Sequence, residues 1–545
     1  MSTLYLHVDH DSTATFIDKN DDVRVLELER FTKRRFATLS QDHRDQPDPT
    51  WDTTEGERVA FLKYIKKISK PIEKVVYHGH LGRTLIEKDR GLLEEIFTDN
   101  IELCFHHHLY HASVGYYMSG FDKAVVVSMD GGGNSDFEGA TNMAWCNAFH
   151  AEGGYLQHTV SDTQNNLGCA YGSLGWYMTE IQARGDNAPP FNKLELPFAG
   201  KIMGLCAYGN IREEWLTPLE KYFRSPHWWM WEHDVHWEES LELQKDFGIP
   251  LGRDCFEGQQ SYDFAATAQR AFENVAMSLV EPYIENYDNF VLTGGCALNV
   301  LFNQKLKKRL DRLGKNLYVP PNPNDCGLST GMFLLDHPDR TVSPYSGFNI
   351  LDIEKLEDYI EERGAKKIDN SGIVDLLKAG KIIGLVEGGS EVGPRALGNR
   401  SIICDPSIPG MKDTLNSKVK YREWFRPFAP VCRYEDMHKY FYDVYESEYM
   451  SYAPYIKPDY VDKLSAVCHA DDTARLQTVR STQHQRFYDI LTELHDRGEI
   501  AVILNTSFNI RGNPILTTIE DALLCLDETE MDYVVIDGWL FERKV

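Results

Sequence analysis

None of the eleven cysteines in this 545-residue chain stands in a C-x-x-C pair, and their number is odd. That excludes a disulfide framework and a zinc ribbon and points to a reducing compartment. No apolar run approaches the roughly eighteen residues a bilayer span needs. The opening MSTLYLHVDHDSTATF shows no basic stretch leading into an apolar core, so the expectation is a cytoplasmic protein without export signal or membrane partner. Repeats of about 20 to 50 residues are missing, which excludes a solenoid or propeller. Cations are scarce, with 57 Lys and Arg against 83 Asp and Glu for a formal charge of −26. Such a surface repels nucleic acid and anionic lipid at long range, while a local basic face stays open.

Core material is ample, since 42% of the chain is hydrophobic. At about 150 residues per domain the length allows three or four units, or two large ones. LYLHVDHDSTATFI predicts a strand, a tight polar loop and a second strand. Further apolar runs in VVYHG, AVVVSMDGGG and FVLTGG end in Gly or Asp, which gathers their termini at one edge of a mixed sheet. Helical spacing over ATAQRAFENVAMSLVEPYIENY and NVLFNQKLKKRLDRLG makes this an α/β domain. After MFLLDHPDRTVSPYSGFN the pattern restarts with two helices and the strand KIIGLVEG, which places a boundary near residue 345. Trp228, Trp229, Trp231 and Trp237 crowd one segment. They read either as a platform for a sugar or base or as an insertion with its own small core.

Several patterns carry chemistry. In FHHHLYHA, His107 and His111 stand at i and i+4 and project from one helix face. With Asp130 after AVVVSM and Asp325 in PPNPNDCGLSTG, they suit Fe(II), Mn or Zn. A helix that simply holds core or surface histidines fits the spacing equally well. Gly294 and Gly295, between a strand and a helix carrying Asn299, allow close backbone approach to phosphates, or merely a tight turn. In the second half, Arg395 and Arg400 lie in EVGPRALGNRSI, and Lys418, Lys420, Arg422 and Arg426 interleave with aromatics in KVKYREWFRPFAP. Enclosed cations call for an anion, and Arg fits phosphate or carbamate oxygens in a bidentate fork. Arg475, Asn505, Ser507 and Asn509 add groups suited to a nucleotide; turn chemistry accounts for Asn505 and Ser507 as well.

Taken together these motifs resemble the ATP-dependent O-carbamoyltransferases typified by the nodulation-factor, cephamycin and tobramycin carbamoyltransferases. HDST, HHLYHA, SMDGGG, GKIMGLCAYG, LTGGCALNV, NDCGLSTG, EVGPRALGNRSI, REWFRPFAP, HADDTARLQTV and NTSFNIRGNPI follow in order along nearly the whole chain. The resemblance implies an actin-like ATPase domain of the sugar-kinase/Hsp70 type over 1–345 and an α/β YrdC-like domain over 346–545. It implies that the second domain makes carbamoyl-adenylate from carbamoyl phosphate and Mg2+-bound ATP. The first then passes the carbamoyl group to an acceptor hydroxyl. Arg395, Lys420, Arg426, Arg475, Asn505 and Ser507 match the pocket for carbamoyl phosphate and nucleotide, with Lys420 and Arg426 at the reacting groups. His107, His111, Asp130 and Asp325 match metal ligands, typically iron. His10, with Asp11 beside it, matches the transfer-site histidine, and a near-neutral pKa suits it to take the acceptor's proton. The chain departs from the family at Ala199, Asp472 and Asn513, where Glu, Gly and Glu are expected.

The expected acceptor is a small hydroxylated metabolite or sugar. The rival is a hydroxymethylated pyrimidine, free or in DNA, because FTKRRF and NQKLKKRLDRLGK could form a basic strip. A threonylcarbamoyl-transfer enzyme for tRNA and a non-catalytic ATP-binding regulator stand as alternatives. Members of the family dimerise in some cases, but no coiled-coil signature marks this chain.

Overall fold

The computed structural model describes residues 2–40, 53–79, 87–134, 143–181, 195–225, 255–510 and 512–544. The tryptophan cluster at 228–237 lies outside them.

The opening strand, loop and strand form as expected: β1 (Thr3–His7) pairs antiparallel with β2 (Thr13–Ile17), which pairs antiparallel with β3 (Val23–Glu27). Strands β4 (Lys74–His78) and β5 (Ile101–Cys104) add parallel on the other side, giving the order β3-β2-β1-β4-β5. A second sheet repeats this plan. Strands β6 (Lys123–Asn134), β7 (Met143–Glu152) and β8 (Tyr155–Asp162) form the antiparallel trio. Strands β9 (Asn289–Thr293) and β10 (Asn316–Tyr318) add parallel, in the order β10-β9-β6-β7-β8. Two sheets of one topology are the duplicated arrangement of an actin-like fold.

Period-two alternation explains why β6 reads as one continuous apolar run. Val125, Val127 and Met129 enter the large core packed by the helix Gln259–Val280. Ala124 and Val126 face the core under the helix His107–Ser119. Both faces are covered, so neither can be polar.

The C-terminal half builds one eight-stranded mixed sheet. Its members are β11 (Lys366–Lys367), β12 (Ile383–Val386), β13 (Arg400–Cys404), β14 (Ala429–Arg433), β17 (Gln477–Val479), β18 (Val502–Ser507), β19 (Tyr533–Ile536) and β20 (Trp539–Glu542). The short β15 (Phe441–Tyr442) and β16 (Tyr455–Ile456) pair separately. In β18, Val502 and Leu504 face one core and Ile503 the other. Among the described residues no helix is long and apolar enough to cross a membrane.

The two halves share packing. Phe425 and Tyr452, from the C-terminal half, are buried in the core of the N-terminal half. Buried Arg30 donates to the carbonyl oxygens of Glu391 and Gly393, and Glu27 Oε1 accepts from the Gly393 amide at 2.7 Å. Lys201 and Glu423 add a 2.8 Å ion pair. These contacts hold the loops carrying Arg395 and Arg426 against the first domain.

Two histidines of the C-terminal domain make its stability acid-sensitive. Burial pushes His484 down to about 4 and, together with Arg475 and Lys412, His469 down to about 3. The unfolded chain takes up those protons near the ordinary 6.5 while the fold does not. Stability is therefore full above pH 6.5 and falls below it, by about 1.4 kcal/mol per pH unit for each group. His484 Nδ1 caps a helix by accepting from the Phe487 amide at 3.1 Å. The expected result is a melting temperature that drops between pH 6.5 and 4, with a shallower drop in His484→Asn, which can still cap; calorimetry across that range checks it.

Candidate functional site

The helix His107–Ser119 presents His107 and His111 toward the C-terminal end of β6. His107 Nε2 lies 3.2 Å from His111 Nε2, 3.1 Å from Asp130 Oδ2 and 3.8 Å from Asp325 Oδ1. His111 Nε2 lies 3.3 Å from Asp325 Oδ1. One ligand atom from each of these four buried residues falls within 4.8 Å of the other three. Two imidazole nitrogens and two carboxylates converging away from water are a poor arrangement without a cation and a fitting one for a divalent metal. Their electrostatics agree. Burial works against charge on Asp130, yet hydrogen bonds from His107 and His111 hold its carboxyl well below the usual range. Burial likewise opposes charge on His111, but Asp130 and Asp325 raise its imidazole to about 9.

The glycines around this cluster serve close approach. A Cβ on Gly133 would stand 2.2 Å from the His107 ring, and one on Gly294, at φ +81°, would stand 2.1 Å from the Met129 carbonyl oxygen. The turn read from the sequence as phosphate-facing has a further task here. The Gly295 amide donates to Asp130 Oδ1 at 2.6 Å and so orients one carboxylate of the four-residue cluster. Asn299 is the N-cap of the following helix, its Oδ1 accepting from the Phe302 amide at 3.1 Å while its Nδ2 donates to Gln269. With both ends of its amide engaged, Asn299 is not placed to hold a nucleotide.

His10 joins the metal cluster through Asp325, whose Oδ2 lies 3.4 Å from His10 Nε2; Asp11 accepts from His10 Nδ1 at 3.2 Å. Burial pulls its pKa down, but Asp325, Asp11 and Asp9 outweigh it and raise the imidazole to about 10. The near-neutral histidine expected from the motif is not what three neighbouring carboxylates produce.

The second cluster is cationic. Arg475 is pushed well below the usual guanidinium range by burial and by Arg395, Arg422 and Arg426. Burial and Arg426 likewise depress Arg422, and they bring Arg395 down to about 10. Among the described residues Arg395, Arg422 and Arg475 have no carboxylate in ion-pair range, whereas Arg426 lies 3.6 Å from Glu423. Asn505 donates to the Ala396 carbonyl at 3.0 Å and to Gln477 at 2.9 Å, which leaves its buried Oδ1 unmet. Lys420 differs from expectation. Its buried ammonium donates to the backbone oxygens of Ser507 at 2.7 Å and Asn509 at 2.9 Å and to the Asn509 side chain. It shapes the Ser507–Asn509 turn rather than reaching freely toward a substrate. Arg400, another cation of the same loop, donates to the carbonyl oxygens of Glu387, Gly388 and Asn399 and serves the fold.

A carbamoyltransferase N-terminus sequence profile matches residues 55–334, and a carbamoyltransferase C-terminus profile matches residues 374–543. The chain belongs to the carbamoyltransferase family. An uncharacterized protein of Methanocaldococcus jannaschii is 27% identical over 98% of both chains. Nodulation protein NolNO of Sinorhizobium fredii is 27% identical over 84% of this chain and 66% of its own. The 3'-hydroxymethylcephem-O-carbamoyltransferase of Streptomyces clavuligerus is 30% identical over 64% of this chain and 65% of its own.

Sequence reasoning about this carbamoyltransferase passed over Arg422, which it noted as a cation but did not assign to the pocket. It also passed over Glu391. Buried Glu391 Oε1 accepts from four consecutive amides, Leu397 to Arg400, at 2.8 to 3.1 Å, and so shapes the loop that carries Arg395. A lone Glu before a glycine-rich stretch gives no signal of this, because the ligands are backbone amides. Most cations of the two basic segments have carboxylate partners. Lys33 pairs with Asp521 and Arg34 with Glu57. Lys305, Lys307, Lys308, Arg309 and Lys315 pair with Glu273, Asp311, Asp443, Glu281 and Asp288. Asp472, where the resemblance leads one to expect Gly, sits at φ +62°, a conformation Gly adopts freely and Asp tolerates.

Proposed function

We propose that this carbamoyltransferase converts carbamoyl phosphate and ATP into carbamoyl-adenylate in its YrdC-like C-terminal domain and passes the carbamoyl group to an acceptor hydroxyl in its N-terminal domain. The observation that carries this reading is the half-buried group Arg395, Arg422 and Arg475, which repel one another and have no carboxylate partner among the described residues. Like charges are held together in this way where an anion is to be bound.

The chemistry balances with one water. Water cleaves carbamoyl phosphate to carbamate and phosphate, and a carbamate oxygen then attacks the α-phosphorus of ATP as pyrophosphate leaves. The arginines stabilise charge on the phosphoryl oxygens during both steps. Next, the acceptor oxygen attacks the carbamoyl carbon and AMP leaves, the hydroxyl proton passing to the Asp11 carboxylate, which the protonated His10 holds in place. A divalent metal at His107, His111, Asp130 and Asp325 would offset the negative charge of the adenylate. Iron is the first choice for this donor set, with manganese or zinc as alternatives, and Mg2+ accompanies ATP. The acceptor is a small hydroxylated metabolite. Ion pairs along both basic segments favour this acceptor over DNA.

The test needs no acceptor. Purified protein, ATP, a divalent metal and carbamoyl phosphate should release pyrophosphate, and Arg426→Ala should not. Release at the same rate without carbamoyl phosphate would sink the reading.

A further inference from the structure

Near Arg475 of the cationic cluster, the half-buried His469 stands out as an acceptor among donors. Thr473 Oγ1 lies 2.7 Å from Asp471 Oδ1, and a carboxylate can only accept, so the hydroxyl proton is spent there. The lone pairs of Oγ1 then face His469 Nδ1 at 3.0 Å, which fixes the hydrogen of the imidazole on Nδ1. The turn is closed by the His469 amide donating to the Thr473 carbonyl at 2.9 Å, with Asp472 left-handed at its corner. What remains is Nε2, on the far edge of the ring, as a lone pair. It is buried and has no hydrogen-bond partner, and the Nε of Arg475 is in the same condition, so the two do not satisfy each other. Burial and the charges of Arg475 and Lys412 keep this imidazole neutral, so the lone pair persists.

We propose that His469 reads the amide of the donor: its Nε2 accepts a hydrogen bond from the –NH2 of carbamoyl phosphate and thereby selects a carbamoyl over an acyl phosphate. This role rests on the carbamoyl phosphate activity proposed above and supplies its specificity. Arg395, Arg422, Arg426 and Arg475 can only donate, and a phosphate group can only accept from them. An anion alone would fill the arginines and leave Nε2 unmet. Carbamoyl phosphate carries an N–H donor beside its phosphate and satisfies both; acetyl phosphate, with a methyl in that place, leaves the buried acceptor dry. A buried group stranded in this way weakens binding roughly 10- to 100-fold.

Calorimetric titration of the full-length protein with carbamoyl phosphate, acetyl phosphate, inorganic phosphate and ATP tests it. The wild type should prefer carbamoyl to acetyl phosphate. His469→Leu should weaken carbamoyl phosphate about 10- to 100-fold and leave acetyl and inorganic phosphate unchanged. His469→Gln, which keeps an acceptor oxygen, should retain part of the preference. Thr473→Val, which unlocks the tautomer but keeps the ring, should lose part of it. Should the leucine variant fail to fold, these last two decide. Equal weakening of all three phosphates, an unaltered preference, or loss of ATP binding alone would each overturn the role of His469. The last of these would mean that Nε2 reads the adenine amine. A wild type that binds inorganic phosphate but not carbamoyl phosphate would instead bring down the proposed function itself.

Discussion

Arg475→Ala is expected to abolish carbamoyl-phosphate-dependent pyrophosphate release and, at the same time, to raise the melting temperature. The first effect follows from removing a donor that the proposed function sets against phosphoryl charge, a loss of about 100- to 1,000-fold in rate. The second follows from the surroundings of Arg475. Its guanidinium is destabilised by burial and by three neighbouring arginines, and its buried Nε has no partner. Deleting it relieves repulsion that the empty pocket does not offset, so activity and stability move in opposite directions. Arg475→Lys keeps the charge but loses the fork and is expected to recover little activity. A simultaneous fall in both quantities would mean that Arg475 holds the fold together rather than an anion.

Asp325→Asn is expected to empty the metal site and stop carbamoyl transfer while sparing pyrophosphate release. Asp325 touches three partners at once, with Oδ1 facing His111 and His107 and Oδ2 facing His10. Neutralising it removes half of the carboxylate charge available to a divalent cation. Metal content by elemental analysis should fall from about one ion per chain to near none, since losses of 10- to 100-fold already follow changes outside the ligand shell. His108→Asn is the control. His108 stands in the same histidine run but bonds Ser128 Oγ and the Ala144 carbonyl, each at 3.0 Å, away from the cluster. It should keep its metal. Parallel loss of both half-reactions in Asp325→Asn would show that the two sites do not work separately.

Elements whose residues contact near neighbours in the chain were legible without coordinates. The loop between β1 and β2, the i,i+4 histidine pair and the alternating strands follow from spacing alone, as does a helix here, although Gln259–Val280 begins and ends seven residues earlier than the segment ATAQRAFENVAMSLVEPYIENY marks. Each is set by contacts two to four residues apart. The resemblance of ordered motifs to one family added which residues belong together. The resemblance grouped His107, His111, Asp130 and Asp325, but spacing alone does not bring them together, because β6 and the turn before the helix Leu328–Asp336 deliver their carboxylates from distant parts of the chain.

Tertiary structure also decided matters on which local pattern is silent. The two sheets share one topology although no repeat shows in the sequence, since hydrogen-bonded order constrains which strands pair and not which residues they use. Asn299 and the Gly295 amide look like ligand groups in isolation, yet their hydrogen bonds are taken up by the helix cap and by Asp130. Composition and spacing determined that this chain is an α/β protein with a metal-ligand pattern and cations interleaved with aromatics. Only packing decided which of those polar groups keep a free valence for a ligand, because a hydrogen bond is spent or unspent according to neighbours far away in the chain.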